Sequence, residues 1–237
     1  MSQIRKTLTA LPFVEEQKDG ALDLWAMDPP TSDCASALKG RAYAALLMHV
    51  MRDYDAAFMC AHVMTAMRES GFKYAEVGTC FTTELARTAV EGSVAAIGLL
   101  ASVSHLRFEG NPRQNLLAIP QVTETPEGRL RLWPVPQDRD YDDLVAAGRY
   151  YAVCVIRYMM KTEDLSILDR IARAMQDAPE ADAGHDRPDQ PFLVGFWTAV
   201  AEISIAAGET STAYQSAMLS IYKDVAEDVR GDTRAAA

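Results

Sequence analysis

Polar and apolar positions change period along the first third of the chain. Leu22 and Leu24 flank Asp23, the alternation of a half-buried strand, and Asp19-Gly20 has the composition of a tight turn just before them. Residues 11–26 therefore predict a β-hairpin, with 1–9 as a loose lead-in or a short first helix. After Pro29-Pro30 the period becomes helical. Tyr43, Leu46, Leu47, Val50 and Met51 form one stripe of a helix over about 34–52. Met59, Val63, Ala66 and Met67 form the stripe of a second, which Ser70-Gly71 closes. Further helices are predicted over about 77–91 and 93–107. The last is apolar on almost every side from Val94 to Val103, which predicts a central position.

The hairpin sequence then returns. Ala10 to Trp25 aligns without a gap on Ala118 to Trp133, an offset of 108, with 8 of 16 positions identical. Ordinary residue usage would supply about one. The same offset pairs Gly40-Arg41 with Gly148-Arg149, Tyr43 with Tyr151, Met51 with Met159 and Met67 with Met175. An internal match of this kind assigns two segments one structural job. The fold expected is α+β and mainly helical, built as two tandem pseudo-symmetric repeats. Repeat 1 covers 1–112 with its hairpin at 11–26, and repeat 2 covers 113–237 with its hairpin at 116–133. About four helices follow each hairpin, around a shared core. Pro179 to Gln190 reads as an acidic inserted loop, followed by helices over about 192–207 and 211–230 and a frayed tail.

Composition narrows the functional classes. Net charge is −10, so a whole-protein basic footprint for nucleic acid is absent. Cys34, Cys60, Cys80 and Cys154 form no CxxC pair and occupy no matching repeat positions, so reduced thiols in a cytoplasmic protein are expected. The start of the chain has no signal-peptide pattern. The apolar run Val94–Val103 is far short of the roughly 20 residues that span a bilayer.

Candidate chemistry begins with Arg41 and Arg149. Repeat symmetry would bring both guanidinium groups to an axis, where they could grip a carboxylate or phosphate. The plainer expectation pairs them with Glu16 and Glu124, which are retained in both repeats. Trp25 and Trp133 either line a ligand pocket or, more simply, plug the gap between hairpin and helices with the indole N–H on a backbone carbonyl. His49 and Asp53 share a helix face near Cys60-x-His62, but the second repeat lacks them and no HExxH motif is present, so neither metal nor cofactor is expected. Glycine patterns for nucleotide binding and a Gly-x-Ser-x-Gly nucleophile are also missing. Thr83 to Val103 has a faint helix-turn-helix look, but the second helix offers few polar groups to read bases. The methionines of the first helical pair suit either an adaptable docking face or core.

The function expected from these residues is a non-enzymatic binding or regulatory protein. It would take a protein partner or an anionic small molecule at the interface between repeats. The alternative is an enzyme with a cleft between repeats, using Arg41, Arg149, Glu16 and Glu124 on an anionic substrate.

Overall fold

The computed structural model describes residues 3–11, 13–27, 29–30, 32–93, 96, 100–136, 139–176 and 187–208. The chain is mainly helical with two small antiparallel hairpins, an α+β architecture. In order, the elements are α1 (Gln3–Leu8), β1 (Glu15–Glu16), β2 (Leu22–Asp23), α2 (Asp33–Asp53), α3 (Met59–Glu69) and α4 (Ala75–Gly92). Then come α5 (Pro112–Leu117), β3 (Thr123–Glu124), β4 (Leu130–Arg131), α6 (Tyr141–Thr162), α7 (Ser166–Ala174) and α8 (Gln190–Gly208).

The two longest helices, α2 and α6, begin on side-chain caps. The Ser32 hydroxyl accepts from the Ala35 N–H at 3.2 Å, and the Asp140 carboxylate accepts from the Asp143 N–H at 2.8 Å. Acidic residues fill the first turn of each, Asp33 in α2 and Asp142 and Asp143 in α6, where the helix dipole favours them. Both helices are followed by a left-handed residue, Asp55 (φ 49°) and Glu163 (φ 59°). Asn111 and Gln114 form a reciprocal capping box around Pro112 at the start of α5.

Helices α4 and α8 pack together at the centre, with α2 against α4 and α6 against α8 on the two outer sides. Glycines, Gly40, Gly148 and Gly195 among them, allow the close approaches. A Cβ on Gly40 would sit 2.4 Å from the Val77 carbonyl oxygen in α4, and one on Gly148 would sit 2.2 Å from the Phe192 oxygen in α8. One hydrophobic core runs through all of it, joining Trp25, Tyr43 and Phe81 to Trp133, Tyr151, Phe196 and Trp197. Burying a large apolar side chain of this kind is worth about 1.5–3 kcal/mol. The methionines Met48, Met51, Met59, Met64 and Met67 are all buried, which removes them as a docking face.

The hairpins are shorter than the alternation predicts. Their ladders pair only Glu15 with Asp23 and Glu16 with Leu22, then Thr123 with Arg131 and Glu124 with Leu130. The flanking residues leave the ladder because Leu11, Phe13, Leu24 and Trp25, like Ile119, Val122, Leu132 and Trp133, pack into the core instead. Expected strand residues 116–117 belong to α5. The hairpins form two separate sheets. The helix expected over 93–107 falls partly outside the described residues, and 102–105 are turns. There the amides of Val103 and Ser104 bond three residues back, which turns Ala101, Ser102 and Ser104 to solvent. The loop at 179–186, the expected helix over 211–230 and the tail lie outside the described residues. Among the described residues, no helix is long and apolar enough to cross a membrane.

Candidate functional site

The glutamates singled out in the sequence are held by arginines other than Arg41 and Arg149. Arg5 of α1 pairs with Glu16 at 3.0 Å and also donates to the Gly20 carbonyl. Arg113 of α5 pairs with Glu124 at 2.8 Å and donates to the Gly128 carbonyl at 2.7 Å. Each arginine thus clips a short helix to a hairpin turn, at glycines whose φ of 83° and 79° suits a residue without a Cβ. All four side chains are partly exposed, so each pair adds at most about 1 kcal/mol.

Arg149 instead forms a forked pair with Glu202 of α8, at 3.0 and 2.5 Å. That hydrogen bonding, working against partial burial, raises the arginine above its ordinary range. Arg41 is exposed and makes no hydrogen bond or ion pair among the described residues. Its charge works to lower the neighbouring Cys80 thiol, which burial on balance keeps raised. The two arginines stand about two turns into α2 and α6, the outer helices, with α4 and α8 between. The expected pairing of Arg41 and Arg149 with Glu16 and Glu124 is therefore corrected. The hairpin glutamates face the short helix that precedes each hairpin, while the two arginines project from the long helix that follows it.

Trp25 and Trp133 are buried plugs. Trp25 stacks on Tyr43 and meets Phe81 edge-on at 5.6 Å, and its Nε1 donates to the Lys73 carbonyl at 3.2 Å. Trp133 meets Phe196 edge-on at 5.6 Å, and its Nε1 donates to the Asp189 carboxylate at 3.0 Å. Beneath them the Tyr43 hydroxyl donates to the Leu24 carbonyl and the Tyr151 hydroxyl to that of Leu132 at 2.7 Å. Burial pushes both phenols well above their usual range.

Asp189 belongs to a buried polar cluster that periodicity does not announce. Arg68 of α3 donates to both its carboxylate oxygens, at 2.7 and 3.1 Å, with side chains only 2% and 5% exposed. Arg187 stands 4.0 Å away. Asp189 immediately precedes α8, so this cluster fixes α3, the second hairpin and the start of a central helix to one another. Both Asp189 carboxylate oxygens are engaged by internal donors, which makes the cluster a structural joint, while the buried Arg68 Nε has no hydrogen-bond partner among the described residues. The Asp53 carboxylate lies 3.4 Å from His49 in an exposed pair, and among the described residues no group of three potential ligands could hold a metal ion.

Open space lies elsewhere. A groove of about 440 Å³ runs between the second hairpin and the first turns of α6, lined by Thr123, Arg131, Val135, Pro136, Arg139 and Asp143 among others. Thr123 and Arg131 are ladder partners, so their side chains share the face that walls the groove. Arg139 is in loose contact with Asp143 at 3.5 Å, with both well exposed. Arg131 is exposed and has no hydrogen bond or ion pair among the described residues. The matching ladder position on the first hairpin holds Asp23 opposite Glu15, so the two hairpins present opposite charge. No protein-family model matches the chain, and no curated protein or solved structure shows significant similarity to it.

Proposed function

We propose that this chain is a non-enzymatic, cytoplasmic binding protein made of two tandem copies of one unit, and that it holds a carboxylate-bearing partner in the groove beside its second hairpin. The observation that carries the binding reading is the free guanidinium of Arg131 at the wall of that groove, with Arg139 along it. A forked guanidinium left unpaired suits a carboxylate. The interface between copies is the poorer choice, because α4 and α8 close it with core residues such as Phe81 and Val200. The enzymatic alternative is weakened because Glu16, Glu124 and Arg149 are each engaged in separate local pairs.

The tandem reading is supported by interactions that recur at the offset of 108. They are the Arg–Glu–glycine clips, the ladder registers, the tyrosine-to-carbonyl bonds, the left-handed residues after α2 and α6, and the glycine crossings of Gly40 and Gly148. On this view the copies kept their internal packing while their exposed ladder faces changed charge.

The test is fluorescence polarisation of a fluorescein-labelled hexaglutamate peptide, with hexalysine as the control. Saturable binding of hexaglutamate is expected, weakened about tenfold or more by R131E/R139E, since each exposed contact is worth about 0.2–1 kcal/mol and reversal adds a similar repulsion. R41E should leave it unchanged. Equal binding by wild type and R131E/R139E would remove the groove as the site.

A further inference from the structure

We infer that the first hairpin of one molecule docks in the second-hairpin groove of another, so that the chain associates head to tail with copies of itself. Glu15 and Asp23 are direct ladder partners, which puts two carboxylates on one face of a two-stranded hairpin. Like charges placed this way repel and destabilise a hairpin. Nothing among the described residues compensates, because Glu15 has no ion pair and the Asp23 carboxylate accepts only the Trp25 N–H, at 2.9 Å. Glu16 is already balanced by Arg5, and Lys18 and Asp19 offset each other in charge along the exposed turn, so the unbalanced charge is that of Glu15 and Asp23.

A compensating charge does exist on the molecule, the Arg131 guanidinium in the second-hairpin groove, where Arg139 is already in loose contact with Asp143. It serves the other hairpin's sheet, and the two sheets are separate. A second molecule can bring the two together. Two different patches then meet, so the contact is heterologous and repeats into a ring or an open chain. An acidic segment of an unrelated protein would satisfy the groove alone. A second copy also relieves the Glu15–Asp23 repulsion, and that is why it is favoured. The inference rests on the groove being the anion-facing surface, as proposed above.

Salt titration is a poor test by itself. With a net charge of −10, added salt relieves long-range repulsion between copies while weakening the local pairs, and the two effects oppose each other. Charge exchange has a definite sign. Sedimentation velocity should show the wild-type coefficient rising with concentration. E15R alone and R131E alone should each stay monomeric with wild-type circular dichroism, and E15R should melt no lower than the wild type because it removes the Glu15–Asp23 repulsion. The E15R/R131E chain, and an equimolar mixture of the two single variants, should regain association. A monomeric wild type at every concentration would overturn the inference, as would a combined variant that fails to recover. If hexaglutamate still binds a monomeric wild type, only self-docking falls and the groove reading stands. If it does not bind, both fall.

Discussion

Replacing Asp189 by asparagine should be among the most destabilising changes of near-constant volume in this chain. The carboxylate accepts from Arg68 Nη1 and Nη2 and from the Trp133 indole, at 2.7–3.1 Å, in a site where Arg68 and Asp189 are almost fully shielded from water. Removing one partner of such a pair leaves the other charge buried without compensation, typically at a cost of about 3–5 kcal/mol. Asparagine still accepts one N–H but turns a donor toward the guanidinium, so about 3 kcal/mol is expected for Asp189→Asn. Arg68→Met should cost less, because Arg187, 4.0 Å away, and Trp133 remain to satisfy the carboxylate. The double variant R68M/D189N should recover about 2 kcal/mol relative to the sum of the two single changes, since it strands neither charge. Urea unfolding followed by far-ultraviolet circular dichroism, with slopes compared between variants, measures all three. A loss below about 1 kcal/mol for Asp189→Asn, or strict additivity, would refute the view that the cluster is a joint between elements.

Three other outcomes are expected. Gly148→Ala should destabilise by at least about 2 kcal/mol despite alanine's better helix propensity, because its Cβ would lie 2.2 Å from the Phe192 oxygen, and Gly40→Ala, at 2.4 Å from the Val77 oxygen, should behave alike in the same urea assay. Tyr43→Phe and Tyr151→Phe should each cost about 1–3 kcal/mol by leaving a buried carbonyl without its donor, and near-equal losses in thermal melts would mark the two sites as equivalent. Burial pushes the Cys60 thiol up from 9.0 to about 12 and Cys154 up to about 11, so the folded state favours both neutral thiols. Their contribution is complete below pH 9.0 and is lost as pH rises through the folded values; stability of the wild type should fall more steeply than that of Cys60→Ala between pH 9.0 and about 12, by about 1.4 kcal/mol per pH unit.

The sequence made the hairpin turns and the long helices legible, because each depends on local chemistry. Gly20 and Gly128 supply a positive φ, Ser32 and Asp140 cap helices, and the Tyr43 and Tyr151 stripes face inward. Strand length is not legible at Leu11, Phe13 and Trp25, where alternation is indistinguishable from side chains leaving the ladder for the core. The arginine partners were misread because a shared Gly-Arg-x-Tyr motif says nothing about what lies across the fold. Glu202 faces Arg149, while Arg41 meets no acid among the described residues. Arg68 and Asp189 gave no signal at all. One sits in a regular helix and the other at the end of a segment that reads as a solvated acidic loop, and only packing brings them together. The groove was invisible for the same reason, although the unlike ladder positions Asp23 and Arg131 could have marked it.

The partners of the shielded ion pair are 121 residues apart in the chain. During translation Arg68 is added well before Asp189, about 6–24 s earlier at ordinary elongation rates of about 5–20 residues per second. Until then α3 lacks the carboxylate that Arg68 meets in the finished fold. A nascent chain stalled before α8 should therefore remain protease-sensitive around α3, and α3 takes its final seat only after Asp189 has been made.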